Sequence, residues 1–310
     1  EVAVKAIKAG QANTEESRKK FFYEAKITGE LDHPNIVPIH ELGANDDGTL
    51  FYSMKMVDGS PWEDEIDSKS REENLEIFMK VCDAIAFAHS HEVIHRDLKP
   101  ENVMLGTFGE VLVMDWGLAV DLKTKPSFGM SGTPAYMSPE MASHQVSKIG
   151  KTSDIYILGG ILFQILTGRA PHTGKSVRDC LVNAQHNRIV PTELDDPLLD
   201  IARIALATDP ADRYESVVLL QAAIREHLQH AESIALSKRA DETLERAIAN
   251  RDYGDFSRAI FSMQEAIDMW PANESAHTSL STAQLAYGQC AFEQGDYDLC
   301  MQCLDSTNPT

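Results

Sequence analysis

His95-Arg96-Asp97-Leu98-Lys99-Pro100-Glu101-Asn102 is the stretch on which the reading of this chain turns. Just beyond it, Val111-Leu112-Val113-Met114 is an apolar run typical of a strand, and it delivers Asp115-Trp116-Gly117. Just before it, Leu75, Phe78, Met79, Cys82, Ile85 and Ala86 recur at helical spacing across 73–89. Farther upstream, Glu1 to Lys8 alternates as a strand does, and Asn13-Thr14-Glu15-Glu16 opens a helix that runs to about Leu31. Two short β-branched or aromatic runs, 36–43 and 50–57, flank the turn-like Asn45-Asp46-Asp47-Gly48 and predict a hairpin. Downstream, helical patterns cover 153–167, 197–207 and 216–227. The arrangement is α+β: a small β-rich front, a larger helical back, and a cleft between them.

The composition narrows the partners. A chain of 310 residues with 43% hydrophobic residues has room for one large domain and a smaller module. A formal net charge of −20 argues against nucleic acid and against anionic membrane surfaces, both of which need clustered Lys and Arg. No apolar run approaches the roughly 18–20 residues that span a bilayer, so no membrane segment is expected in the visible chain. Five scattered cysteines do not make a secreted disulfide framework, and Cys300-x-x-Cys303 reads as two small residues on one helical face. A cytoplasmic protein is expected, with room for a membrane anchor elsewhere in a longer parent.

The octapeptide resembles the catalytic loop of eukaryotic-type (Hanks-type) protein kinases in its Ser/Thr form, as bacteria also carry it. The family's other markers follow in order over residues 1 to about 228. The resemblance implies a two-lobed kinase fold and ATP-dependent transfer of the γ-phosphoryl group to Ser or Thr hydroxyls of protein substrates in signal transduction. Asp97 would accept or orient the hydroxyl proton, Lys99 would offset charge on the transferred group, and Asn102 and Asp115 would hold Mg²⁺, with Mn²⁺ as the alternative. Asp115-Trp116-Gly117 resembles the family's Asp-Phe-Gly element with Trp for Phe, and the indole N–H needs a partner. Lys5 on its strand and Glu24 on the following helix would form the ion pair that holds the nucleotide phosphates. Phe21, Glu24 and Thr28 share one face of that helix. Ala3, Met104 and Val57 would contact adenine, with Met54 behind it.

The activation segment would run from Trp116 to Glu140, ending in Gly132-Thr133-Pro134-Ala135-Tyr136-Met137-Ser138-Pro139-Glu140. Thr133 would face the substrate, Glu140 would pair with Arg213, and Asp154 would brace the catalytic loop. Arg96 could grip a phosphate bidentately, which makes Thr124, Ser127 and Ser131 candidate regulatory sites. The family's Gly-rich phosphate-covering loop does not precede Lys5, and Glu1 is no initiator Met, so a fragment of a longer kinase, nearly inactive by itself, is expected. Two other classes compete. A pseudokinase scaffold is disfavoured by the retained Lys5, Glu24, Asp97, Asn102 and Asp115, and a small-molecule kinase by the 132–140 segment with Arg213.

Beyond the kinase region the chain turns Ala-rich and acidic, with 13 acidic against 5 basic residues over 229–310. Gly254-Asp255-Phe256 is echoed by Gly295-Asp296-Tyr297, 41 residues on, which resembles the tetratricopeptide (TPR) pattern with its period of about 34 stretched. The expected division is a small-lobe remnant at 1–58, a large lobe at 59–228, a helical linker at 229–250 and truncated TPR-like repeats at 251–310. The repeats are expected to bind a protein partner, and their charge suits a basic one.

Overall fold

The computed structural model describes residues 1–7, 14–46, 48–124 and 131–306, the last three by backbone alone. Asn13, Asp47 and Ser127 therefore lie outside the described residues. The chain divides into two compact units, Glu1–Ala223 and Ile224–Thr310.

The first unit opens with an antiparallel sheet in the order β1-β3-β2, from β1 (Val2–Ala6), β2 (Ile39–Ala44) and β3 (Leu50–Lys55). Its register sets Lys5 opposite Tyr52 and Ala3 opposite Met54, and a bulge falls between Ile39 and Glu41. Helix α1 (Glu15–Glu30) follows β1 in the chain. Thr14 caps it by accepting the Ser17 N–H, Glu15 and Glu16 favour its positive end, and Phe21, Glu24, Ala25, Ile27 and Thr28 form its buried face. Phe21 and Ala25 pack with Ile7 and Tyr52 into a small core under the sheet.

After β4 (Gly59–Pro61) and the single turn α2 (Trp62–Glu65) comes α3 (Arg71–Ser90), started by a Ser70/Glu73 capping box. Four short strands then carry the loops of the site: β5 (Val93–Ile94), β6 (Val103–Gly106), β7 (Val111–Val113) and β8 (Val120–Asp121). They pair as β4-β6-β7 and β5-β8. The short α4 (Pro139–Ala142) precedes α5 (Lys151–Thr167), whose residues from Ser153 to Gln164 are all buried. From Ile155 to Phe163 that run is apolar on every face apart from the Tyr156 hydroxyl, as suits a helix packed on all sides. Gly168 ends it in the left-handed conformation, φ 70°, that favours glycine. Helices α6 (Val177–Gln185) and α7 (Pro197–Ala205) complete the lobe.

Helix α8 (Val217–Asn250) is a single helix of 34 residues where the sequence reading expects a helix to 227 and a separate linker. No Gly or Pro interrupts 217–250, so nothing in the backbone stops it. In the second unit, α9 (Tyr253–Met269), α10 (Glu274–Glu293) and α11 (Tyr297–Ser306) follow. Their core joins Phe256, Ala259 and Met263 to Leu244, Ala283 and Cys290. The two Gly-Asp units are not structural equivalents. Gly254 lies inside the first turn of α9, whereas Gly295 is a left-handed residue, φ 81°, between helices. The matching caps are Asp252, which accepts the Asp255 N–H, and Asp296, which accepts the Leu299 N–H. Among the described residues, no helix is long and apolar enough to cross a membrane.

Candidate active site

Lys5, Glu24 and Asp115 come together although they lie on β1, α1 and the loop after β7. Lys5 Nζ stands 2.6 Å from Glu24 Oε1 and 3.2 Å from Asp115 Oδ1. Burial works to lower the Lys5 pKa, but the hydrogen bond and charge of Glu24, with Asp115 behind them, outweigh it and leave the pKa raised. Lys5 is therefore a fixed cation. Gly117 closes this corner: a Cβ there would stand 3.1 Å from Glu24 Oε2 and 3.2 Å from Asp115 Oδ1. A cavity of about 250 Å³ beside the cluster is lined by Lys5, Thr28, Met54, Met114, Asp115 and Trp116 among others. Ala3, Val57 and Met104 are half-buried, Ala3 across from Met54 and Met104 across from Pro61 and Leu112.

The catalytic-loop stretch is braced from below by Asp154, fully buried on α5. Its carboxylate accepts the backbone N–H groups of His95 and Arg96, each at 2.8 Å, and a hydrogen bond from His89 Nε2 at 2.9 Å. Burial would push the Asp154 pKa up, yet these hydrogen bonds, that of His89 foremost, hold it below the ordinary carboxylate value. The brace falls where it is needed, because Arg96 sits at φ 69°, a region that costs a non-glycine residue about 1–3 kcal/mol, and Asp115 lies there too at φ 52°. His95 is buried, and burial lowers its pKa, so it is neutral. Its Nε2–H donates to Met114 O at 3.2 Å, and its Nδ1 accepts the Asp97 N–H at 3.3 Å.

Asp97 presents Oδ1 to the Thr133 hydroxyl, which donates to it at 2.8 Å. Asn102 donates Nδ2 to Asp97 O at 2.8 Å, which turns its own Oδ1 away from that carbonyl. The Met114 N–H donates to Asn102 O at 2.8 Å, so Asn102 and Asp115 project from hydrogen-bonded neighbours. Lys99 is half-buried, with Nζ 4.0 Å from Glu101. Trp116 is buried, packs its ring 4.7 Å from His95, and places its N–H 3.4 Å from Val113 O.

At the far end of the segment, Glu140 and Arg213 form a bidentate pair at 2.8 Å on both arms, closed by the Ser153 hydroxyl on Glu140 at 2.7 Å. Ser138 Oγ is buried with no hydrogen-bond partner among the described residues. Arg96 donates Nε to Leu118 O at 2.8 Å and a terminal N–H to Ser131 Oγ at 3.1 Å. Thr124 donates to Asp121 O. Two contributors escaped the sequence reading. His89 supports Asp154, and Tyr52 donates its hydroxyl to Glu24 Oε1 at 2.7 Å. Tyr52 owes its place to standing opposite Lys5 in the strand pairing.

The protein kinase domain family matches residues 1–230. The chain belongs to the protein kinase family. The Ser/Thr-protein kinase PknD of Chlamydia muridarum is 35% identical over 276 residues, covering 74% of this chain and 29% of that protein. PknD of Chlamydia abortus is 33% identical over 268 residues, covering 74% and 28%. The chain thus spans less than a third of the length of these relatives. Its kinase domain is of the bacterial Hanks type, a family that uses ATP and a divalent metal.

The oxygen donors fit such a metal. Among the described residues no three His, Cys, Asp or Glu side chains converge on one point. The chain offers the Asp115 carboxylate and the Asn102 amide oxygen instead. One carboxylate plus a neutral oxygen suits a hard divalent cation that completes its shell with phosphate and water oxygens, and does not suit zinc.

Proposed function

We propose that the protein is an ATP-dependent kinase of Ser and Thr hydroxyls in protein substrates, with Asp97 as the base or hydroxyl-orienting group. The observation that carries this reading is the Thr133 hydroxyl on Asp97 Oδ1 at 2.8 Å, because an aliphatic hydroxyl already occupies the place a substrate hydroxyl would take. Phosphoryl transfer needs positioning and charge neutralisation more than covalent chemistry, and the residues divide that work. Lys5 binds the α- and β-phosphates and is oriented by Glu24. Lys99 faces the transferred group and offsets its negative charge. Asn102 and Asp115 would hold Mg²⁺, with Mn²⁺ as a substitute, and such an ion would supply positive charge to the phosphate oxygens. Ala3, Val57 and Met104 line the adenine site, and Met54 stands behind it. Asp154, Trp116, Gly117, Glu140 and Arg213 hold the geometry.

The helices after the kinase domain form a TPR-like module that binds a protein with a basic surface, on the strength of their acidic surplus. The kinase domain works in the cytoplasm, where ATP is available.

Phosphorylation of a generic basic protein with labelled ATP tests the central reading, with nucleotide titrations in parallel. Asp97→Asn is expected to lower turnover by about 10²- to 10⁴-fold and to leave nucleotide affinity nearly unchanged. Near wild-type turnover in that variant would remove Asp97 from the mechanism.

A further inference from the structure

Glu24 has a second holder besides Lys5. Because Lys5 and Tyr52 are directly opposed in the β1–β3 pairing, both side chains leave the same face of the sheet, toward α1. The Tyr52 hydroxyl donates to Glu24 Oε1 at 2.7 Å, the same oxygen that Lys5 Nζ meets at 2.6 Å. The ring is only 4% exposed, lies 5.1 Å from the Phe21 ring, and packs among Ile7, Ala25 and Leu42. Its hydroxyl therefore has little freedom to turn elsewhere. Burial first, and the hydrogen bond to Glu24 second, push the Tyr52 pKa far up, so the phenol keeps its proton and acts only as a donor toward the carboxylate.

Lys5 is a divided partner. It is shared between Glu24 and Asp115, and nucleotide phosphates would compete for the same ammonium. Every anion that draws Lys5 away weakens its hold on Glu24, and α1 carries no other described side-chain bond from β1. The Tyr52 hydroxyl does not share this conflict, since it stays on Glu24 whichever anion Lys5 faces. The Thr28 hydroxyl adds a bond to Glu24 O at 2.8 Å, which fixes the backbone of that turn and leaves the carboxylate to the other donors.

We propose that Tyr52 is a positioning residue for phosphoryl transfer, holding Glu24 and with it α1 in the catalytic orientation while Lys5 turns to the nucleotide. This rests on the kinase reading above and adds to it a residue that touches neither nucleotide nor acceptor.

Tyr52→Phe in the full chain removes one oxygen and keeps the ring and its packing. A hydrogen bond to a charged group is worth enough to predict about a tenfold fall in kcat/KM for ATP. Amide hydrogen exchange over Phe21–Thr28 should quicken by a similar factor of about ten, while exchange in α5 stays unchanged. In a Glu24→Ala background the hydroxyl has lost its partner, so adding Tyr52→Phe should change neither readout by more than about twofold. Unaltered exchange over α1 in Tyr52→Phe would overturn the proposal, as would an equal effect of the substitution in both backgrounds. The exchange measurement needs no catalysis. If the wild-type chain transferred no phosphate at all, the kinase reading would fall while exchange would still decide the role of Tyr52.

Discussion

Arg213→Met is the substitution whose cost the structure sets most directly. The Arg213 side chain is fully buried and Glu140 nearly so. The guanidinium makes the bidentate pair with Glu140 and also donates to Ala207 O at 2.8 Å, Thr152 O at 2.9 Å and Thr208 O at 3.3 Å. Methionine keeps an apolar stem but removes every donor, together with the guanidinium that lies 4.8 Å over the Tyr156 ring. Glu140 is then left as a buried carboxylate with the Ser153 hydroxyl as its remaining side-chain donor. Removing one partner of a buried pair costs about 3–5 kcal/mol, and for a unit of this size each kcal/mol lowers Tm by about 2–4 °C. A loss of roughly 6–20 °C is expected. Urea and thermal unfolding followed by Trp fluorescence read it, since Trp62 and Trp116 are both buried in the first unit.

The pH dependence separates this account from a mere packing defect. In the wild type, burial works to raise the Glu140 pKa, but Arg213 and Ser153 hold it below the ordinary value. A depressed folded-state pKa contributes stability above the unfolded value of about 4.3, and that contribution is lost as pH falls through the folded value. In Arg213→Met the charge and hydrogen bonds of Arg213 are gone and burial, the largest effect, outweighs what the Ser153 hydroxyl still gives, so the Glu140 pKa rises above its unfolded value and protonation on acidification relieves the variant. The gap between the two proteins should therefore narrow from about pH 7 toward about pH 4. A loss under about 1 kcal/mol, or a gap that stays constant with pH, would refute the reasoning.

Two further predictions concern regulation and partners. We propose that Ser131, whose hydroxyl already meets Arg96 at 3.1 Å, is a regulatory phosphosite, with Thr124 as a second candidate. Mass spectrometry of active protein should find phosphate on at least one of them, and full activity in a Ser131→Ala, Thr124→Ala variant would end that idea. For the tail, changing the exposed Glu242, Glu245 and Glu265 together to Gln should weaken calorimetric binding of a polybasic peptide several-fold at low salt and less at high salt. Equal binding by both proteins at low salt would remove charge as the basis of partner choice.

The parts of the site that were legible in the sequence are those whose chemistry is local in the chain. Asp97, Lys99 and Asn102 are fixed by spacing within one loop, and Asp115 follows directly on its strand. Lys5 and Glu24 were reachable because a strand and the next helix bring their own faces with them. Tyr52 was not, since placing its hydroxyl on Glu24 requires the register of β1 on β3, two strands separated in the chain by α1 and β2, and alternation alone does not fix that register. The short α6 was missed for a related reason. It is one amphipathic helix of nine residues, and its start depends on Ser176 accepting the Asp179 N–H, a cap that looks like loop chemistry until the chain is folded. In the tail, the repeated Gly-Asp pair does not mark equivalent positions of the two helices. Helix starts are set by the side-chain acceptor, so Asp252-Tyr253 and Asp296-Tyr297 correspond, and Gly254 is carried into a helix that its neighbour Asp252 had already begun. The same physics governs Glu24: what fixes a functional side chain here is the set of donors the fold aims at it, and one of those, Tyr52, comes from a strand that sequence proximity would never have joined to it.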